Sequence, residues 1–152
     1  SFLHKYNNET IKKAEKQISV NVQGSVNLLV ACLPSMRKNK YGRIILLSSV
    51  LSRSPIAGTS IYSASKSFID SLARKTTLEN LSKGITCNSI QLGYFDAGLA
   101  HRIPEHIREA IINKIPLKRF GNMIELFNTI EYLINTEYMA GASISINGGI
   151  SV

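Results

Sequence analysis

The chain has 152 residues, of which 44% are hydrophobic and 18% charged, proportions typical of one folded globular domain. Its formal net charge is +8, but the basic residues are scattered and form no stripe with interleaved aromatic residues. We therefore expect no nucleic-acid partner. The longest apolar runs, such as residues 44–47, are too short to cross a bilayer, and the polar first residues do not resemble a signal peptide. No membrane segment is expected.

Cysteine usage indicates the compartment. The two cysteines, Cys32 and Cys87, are far apart in the sequence, form no C-x-x-C pair and lie in apolar stretches. We interpret them as small buried hydrophobic residues rather than as a disulfide or a metal site, and no metal site is predicted. A reducing, cytoplasmic location fits this interpretation best.

The hydrophobic pattern alternates between helical and strand periodicity along the chain. It predicts a first helix over residues 9–37, which Pro34 and a basic turn are expected to end. The later elements are, in chain order, a strand over 42–48, a helix over 60–82, a strand over 85–92, helices over about 105–113 and 123–136, and a strand over 143–146. The continuous apolar run GRIILLS is typical of a strand buried on both faces of a parallel sheet. The order predicts a single α/β unit over 1–152, equivalent to the second half of a doubly wound, Rossmann-like parallel sheet.

Three polar side chains form the candidate catalytic set: Ser49, Tyr62 and Lys66. Ser49 follows a strand, where open α/β sheets place their ligand crevice. Tyr62 and Lys66 are four residues apart and share one face at the start of a helix. A free phenol, with a pKa of about 10, is a poor proton donor near neutral pH, and a nearby ammonium lowers that pKa. A hydroxyl such as that of Ser49 can hold and polarise a carbonyl oxygen.

Each of these features also has a structural explanation. A lone Y-x-x-x-K is more often a solvated helix face, and a serine after a strand is more often a capping or turn residue. The three residues together, at this spacing and at the end of a predicted buried strand, favour a catalytic site over either separate explanation.

The segment SSVLSRSPIAGTSIYSASK resembles the Ser-Tyr-Lys signature of the short-chain dehydrogenase/reductase family. Asn21, in VNVQG, matches the family's fourth catalytic residue. GRIILLSS resembles the family's fifth strand, GITCNSIQLGYF its sixth, and LKRFG and GASISINGG its C-terminal region. The resemblance covers nearly the whole chain, which is most similar to the 3-oxoacyl-ACP reductase-like subgroup.

The resemblance implies an oxidoreductase that uses NAD or NADP to transfer a hydride between the nicotinamide and a carbonyl or alcohol substrate. Tyr62 would be the general acid or base, and Ser49 would orient the carbonyl. Lys66 would lower the pKa of the phenol and bind the nicotinamide ribose. Asn21 would hold a water in a proton relay with Lys66, although its structural explanation is a polar residue at a helix irregularity.

The sequence departs from the family pattern at two places. The family's Pro-Gly after the sixth strand is Leu92-Gly93 here, and its following threonine is matched by Ala97, so the nicotinamide contacts on that side are assigned to Gly93 and to the backbone around Tyr94 and Phe95. The 152 residues also contain no glycine-rich phosphate loop. We therefore expect three parallel strands in the family's order 5-6-7, an open sheet edge, and no useful dinucleotide affinity from these residues by themselves.

Two functions remain open on the sequence. The first is the oxidoreductase, and the second is a non-catalytic remnant that serves as an oligomerisation module. The segment LGYFDAGLAHRIPEHIREAI is mixed in polarity, and several of its residues are candidates to face the substrate. The subgroup resemblance implies a 3-oxoacyl thioester, whereas the unusual LGYFDAG suggests a sugar or surface-polysaccharide precursor. The resemblance also implies a homodimer or homotetramer built on residues of about 10–37 and 60–82.

Overall fold

The structure, a computed structural model, describes residues 8–54 and 56–150. Within these ranges it contains five α-helices and three strands: α1 (Asn8–Ile18), α2 (Gly24–Asn39), β1 (Gly42–Ser49), α3 (Ser60–Asn80), β2 (Ile85–Leu92), α4 (Glu105–Lys114), α5 (Met123–Asn135) and β3 (Ser143–Ile146). Short 3₁₀ turns follow β1 (Val50–Ser52), α3 (Leu81–Lys83) and β2 (Gly98–Arg102). Every predicted helix and strand is present, with bounds that differ by a few residues at most.

The three strands form one parallel sheet in the order β1-β2-β3. The register pairs Gly42 with Ile85 and Ser49 with Leu92, so β1 and β2 begin and end together. Because parallel strands end at the same edge, residues that follow β1 and β2 meet on one side of the sheet. The predicted strand order and the α/β architecture are confirmed.

The first predicted helix contains an irregularity and continues beyond the proline. α1 passes into α2 through a π-helical turn, Ser19–Gln23, without leaving helical backbone geometry. The prediction that Pro34 helps to end the helix is wrong: Pro34 lies inside α2, which ends at Asn39, where Lys40 adopts a left-handed conformation. Pro34 removes one hydrogen bond to the carbonyl of Val30, and both residues are exposed, so water can satisfy that carbonyl.

Two apolar cores lie on opposite faces of the sheet. The first joins α2 and α3 to the strands, and its buried members are Leu29, Ile44, Leu46, Ile69, Ala73, Ile85 and Cys87. The second joins α5 to the other face through Ile90, Leu126 and Leu133. β2 is buried on both faces, whereas Ile45 of β1 is only partly buried and Leu47 is 46% exposed. The prediction that residues 42–48 are buried on both faces is therefore wrong for β1, which is an edge strand here.

The long N-terminal helix has an unexpectedly exposed apolar surface. Glu9–Asn39 is long and apolar enough to cross a membrane by length and composition alone, with a mean hydropathy of 1.2 in its most apolar 18 residues. Core helices of soluble proteins and signal sequences also meet this criterion, so the expectation of no membrane segment stays a prediction. Only 6% of that stretch is buried, and Val20, Leu28 and Val30 are all more than half exposed. A helix of this kind is also what a soluble protein presents when another chain covers it.

Candidate active site

Ser49 is the last residue of β1 and is held by the turn that follows. It is 7% exposed, and its hydroxyl oxygen accepts a hydrogen bond from the backbone N–H of Leu51 at 3.2 Å, which caps the turn Val50–Ser52. Because the hydroxyl oxygen is the acceptor in this bond, its proton remains available for a bound oxygen atom. Both explanations of Ser49 are therefore compatible: it caps a turn and can also polarise a substrate.

Tyr62 and Lys66 lie on the first turns of α3, which begins at Ser60. The Lys66 ammonium lies 5.8 Å from the centroid of the Tyr62 ring and donates a hydrogen bond to the carbonyl oxygen of Leu47 at 2.9 Å. Burial lowers the pKa of Lys66, and the carboxylate of Asp70, one helical turn further on, opposes that effect. Lys66 is thus held between the end of β1 and Tyr62, with two of its N–H groups left for a ligand.

Two cavities meet at this site and share a wall made of Ser49, Tyr62, Leu92, Gly93 and Tyr94. The first, of about 490 Å³, contains Lys66, and we name it the cofactor-side cavity after the sequence-based expectation that Lys66 binds a ribose. Its further lining is Leu47, Ser48, Lys66, Phe95, Ala97, Ala100 and Ile103. The second, of about 570 Å³, lies across the shared wall, and we name it the substrate-side cavity. Its further lining is Val50, Leu51, Ser54, Ile56, Ile111, Lys114 and Ile150. A hydroxyl and a phenol in the shared wall can contact a molecule in either cavity.

Asn21 lies in the π-helical turn and faces α3. Its side-chain amide donates to the Ser65 hydroxyl at 2.9 Å, and Ser65 donates to the carbonyl oxygen of Tyr62 at 2.7 Å. Asn21 therefore reaches the backbone of the first turn of α3, which carries Tyr62, through Ser65. A π-helical turn often marks a functional position, because it re-aims one side chain out of the regular helical rows. Asn21 thus lies at a helix irregularity, as its structural explanation requires, and also contacts the candidate site.

The residues that follow β2 form the floor of the site. The backbone N–H of Gly93 donates to the carbonyl of Ile146 at 2.9 Å, and a Cβ at Gly93 would lie 2.7 Å from the Cα of Asn147. Close packing against the end of β3 is thus one reason for a glycine here. The Tyr94 ring stacks on Phe120 at 5.6 Å, and Phe95 bridges to Gly121. Of these two cavities, Tyr94 lines both, and Phe95 lines the cofactor-side cavity.

A buried carboxylate beneath the site was not predicted. Asp70 is 4% exposed and accepts hydrogen bonds at 2.7 Å from Ser52, Ser89 and Gln91. The available signal was the spacing of Tyr62, Lys66 and Asp70, which places all three on one face of α3 at intervals of four residues. Lys114 of α4, which lines the substrate-side cavity, was also unpredicted, whereas Ile111 lies in the segment 92–111 whose residues were candidates to face the substrate.

The chain is similar to known oxidoreductases over almost all of its length. Residues 3–151 match the family model described as enoyl-(acyl carrier protein) reductase. The 3-oxoacyl-(acyl-carrier-protein) reductase of Rickettsia felis is 31% identical over 138 residues, which are 90% of this chain and 57% of that protein. The corresponding reductase MabA of Mycobacterium bovis is 30% identical over 145 residues, which are 94% of this chain and 59% of that protein.

A solved structure shows the same fold. A gluconate 5-dehydrogenase of Burkholderia cenocepacia, in complex with NADP and tartrate, superposes with a TM-score of 0.88 at 22% identity, covering 98% of this chain and 59% of that one. The chain therefore spans somewhat more than half the length of the relatives it matches.

Proposed function

The chain belongs to the short-chain dehydrogenase/reductase family, and we propose that it transfers a hydride between the nicotinamide of NAD or NADP and a carbonyl or alcohol substrate. The observation that carries this proposal is the pair of cavities that share a wall containing Ser49 and Tyr62. A cofactor ring on one side and a substrate carbonyl on the other would both lie within reach of the same hydroxyl groups. This is the arrangement that proton donation coupled to hydride transfer requires.

The residues around the cofactor-side cavity suit a nicotinamide and its ribose. Leu47, Phe95 and Ile103 offer apolar walls for a planar ring, and the Lys66 ammonium has donors left for ribose hydroxyls. When bound, the nicotinamide would supply or accept the hydride. These residues do not distinguish NAD from NADP, and the proposal includes both cofactors.

Each polar residue of the site has a proposed task. Ser49 donates a hydrogen bond from its hydroxyl to the carbonyl oxygen, keeps its proton and polarises the carbonyl. Tyr62 gives its phenolic proton to the same oxygen as charge develops there, and takes a proton back in the reverse direction. Lys66, beside the Tyr62 ring, stabilises the negative charge left on the phenol oxygen. Asn21 acts further out and holds the backbone of the first turn of α3 through Ser65.

The substrate-side cavity favours an acyl substrate over a sugar. Its walls include the apolar side chains of Val50, Leu51, Ile56 and Ile111. Among the described residues, its polar side chains outside the shared wall are Ser54 and Lys114, so a sugar would set part of its hydroxyl groups against apolar side chains. An acyl chain would instead remove this apolar surface from water. The names of the 3-oxoacyl-(acyl-carrier-protein) reductases that the chain resembles agree with this choice. We therefore propose a 3-oxoacyl thioester as the substrate.

A cofactor and substrate screen on the natural protein tests this proposal. The purified protein is mixed with NADH or NADPH and either acetoacetyl-CoA or a keto-sugar acid, and loss of the reduced nicotinamide absorbance is followed. We expect kcat/KM for the thioester to exceed that for the keto-sugar acid by about tenfold or more, because unpaired hydroxyl groups weaken binding in an apolar cavity. A preference for the keto-sugar acid would contradict the substrate assignment, and no turnover of any carbonyl would contradict the enzyme.

The second candidate function is a non-catalytic oligomerisation module. The exposed apolar surface of α2 favours it, because Leu28 and Val30 are uncovered within the described residues. The same surface is equally consistent with an enzyme that assembles. A groove of about 400 Å³ between α2 and α3, lined by Val26, Leu29, Val30, Leu33, Pro34, Arg37 and Leu72, is where we propose that a second copy packs to form a dimer or tetramer.

The proposed compartment is the cytoplasm. Cys32 and Cys87 are both free thiols. Cys87 is completely buried in the core between α3 and the sheet, where it packs as a small apolar residue. Two unpaired thiols fit a reducing environment.

A further inference from the structure

We propose that Asp70 is a positioning residue, whose buried carboxylate fixes the turn that carries Ser49 against the helix that carries Tyr62 and Lys66. This inference rests on the proposed function, because it assigns Asp70 a task in that same reaction. Asp70 itself lines neither cavity. It would act through Ser49 and Lys66 rather than on the substrate.

The carboxylate of Asp70 is buried and ionised. Burial by itself would raise its pKa, but hydrogen bonds from Ser52, Gln91 and Ser89 outweigh that effect and hold the pKa below its usual value. One oxygen accepts from Ser52 and Gln91, and the other accepts from Ser89, each at 2.7 Å. A buried charge with three donors is costly to rearrange, so its neighbours are held in one geometry.

The first connection leads to the catalytic serine. Ser52 is the last residue of the turn that Ser49 caps, and it is bonded to α3 through its hydroxyl and its backbone carbonyl. Its hydroxyl donates to Asp70, and its carbonyl accepts from the Ser67 hydroxyl at 2.7 Å. With only three residues in the turn, a shift of Ser52 moves the cap at Ser49. Asp70 therefore sets where the Ser49 hydroxyl lies relative to Tyr62.

The second connection leads to the floor of the site. Gln91 donates to Asp70, and its side-chain oxygen accepts from the Ser145 hydroxyl of β3 at 2.8 Å. Gln91 lies two residues before Gly93, which belongs to the wall shared by both cavities. The carboxylate thus joins α3, the turn after β1, β2 and β3 at a single point beneath the candidate site.

The third connection is electrostatic. Asp70 raises the pKa of Lys66 against the effect of burial. The groups that face Asp70 from the packed elements are neutral: Ser48 and Ser52 from β1 and its turn, and Ser89 and Gln91 from β2. Arg53, one residue beyond the turn, is exposed. Lys114 of α4 lines the substrate-side cavity, and Lys66 is the group of the site whose pKa Asp70 raises.

The test compares two substitutions of buried hydrogen-bonding residues on α3 in the natural protein. Asp70→Asn keeps the size of the side chain but removes its charge and one acceptor. We expect kcat to fall about tenfold or more, because a displacement well under 1 Å is enough to misplace a catalytic group. We also expect the half-maximal pH of alcohol oxidation to fall by about one unit, because loss of a nearby negative charge makes the site release its proton more easily.

Thr77→Val is the matched control. Thr77 is also buried on α3 and is also bonded to β2, donating to the carbonyl of Cys87 at 2.6 Å and accepting from its N–H at 2.8 Å. It lies toward the other end of the helix. We expect it to lower the melting temperature as Asp70→Asn does, while kcat stays within about twofold of wild type and the pH profile is unchanged.

Ser52→Ala provides a second variant, should Asp70→Asn fail to fold. It removes the hydroxyl that links Asp70 to the turn after β1, together with the hydrogen bond that this hydroxyl accepts from Gln91 at 3.1 Å, and it leaves the charge of Asp70 in place. We expect kcat to fall at least about threefold with an unchanged half-maximal pH. If folded Asp70→Asn matches Thr77→Val in kcat and pH profile, or if Ser52→Ala keeps wild-type kcat, Asp70 has no positioning role. Such a result would leave the proposed function intact, since that function depends on Tyr62, and Tyr62→Phe is measured separately.

Discussion

Gly93→Ala tests whether the floor of the site must be placed as closely as the structure indicates. The new Cβ would lie 2.7 Å from the Cα of Asn147, against an ordinary contact distance of at least 3.4 Å. The two backbone segments must therefore separate by about 0.7 Å, since neither atom belongs to a flexible side chain. Overpacking of this kind costs about 1–3 kcal/mol of unfolding free energy. Because Gly93 belongs to the wall shared by both cavities, we expect kcat/KM to fall by about ten- to a hundredfold.

The control for this substitution is Gly24→Ala. Gly24 has ordinary helical angles, and the nearest atom to a new Cβ there would lie 3.7 Å away. Alanine should stabilise the helix by about 0.5–1 kcal/mol and leave turnover unchanged. Thermal unfolding and initial rates are measured on both variants of the natural protein. If Gly93→Ala retains kcat/KM within about twofold of wild type and is not destabilised, residue 93 does not pack against the Cα of Asn147 as closely as the structure indicates.

Three further outcomes are expected. Lys66→Ala should raise the half-maximal pH of alcohol oxidation by about one unit and weaken NAD(P)H binding. The control Lys75→Ala, on the exposed side of α3, should change neither quantity. If Lys66→Ala leaves both quantities unchanged, Lys66 is a surface lysine without a role in the reaction. The side chain of Val30 is 69% exposed and lines the groove between α2 and α3. Val30→Glu should therefore shift a dimer or tetramer toward monomer in sedimentation. A wild-type protein that is monomeric at micromolar concentration would refute the interface. Iodoacetamide near neutral pH should modify Cys32 before Cys87, because burial and the neighbouring Cys32 raise the pKa of the Cys87 thiol to about 12. Mass spectrometry that shows the reverse order would contradict the burial of Cys87.

The fold was predictable where one local pattern determined the outcome. Apolar runs predicted the bounds of β1 and β2 to within a few residues, and Gly84 predicted where the second long helix ends. Gly84 adopts the left-handed conformation expected of a glycine that ends a helix. Pro34 was misjudged because a proline ends a helix only when the lost hydrogen bond cannot be replaced, and this one lies on an exposed face.

The site was predictable only in part, for a similar reason. The spacing of Tyr62 and Lys66 is a local property of one helix, so it could be recognised directly. The burial of Asp70 depends on donors from β2 and from the turn after β1, which no local pattern reveals. The partner of Asn21 depends in the same way on how the π-helical turn packs against α3. Contacts between distant segments are the information that sequence patterns lack.

The most direct test of the central claim is single-turnover hydride transfer by Tyr62→Phe in the natural protein. The substitution removes the phenolic hydroxyl and keeps the ring beside Lys66. We predict that the rate falls by about a hundredfold or more, the usual contribution of a positioned general acid, while the cofactor Kd and the melting temperature stay close to wild type. A variant that keeps more than about a tenth of the wild-type rate would show that Tyr62 is not the proton donor, and the proposed reaction at this site would be wrong.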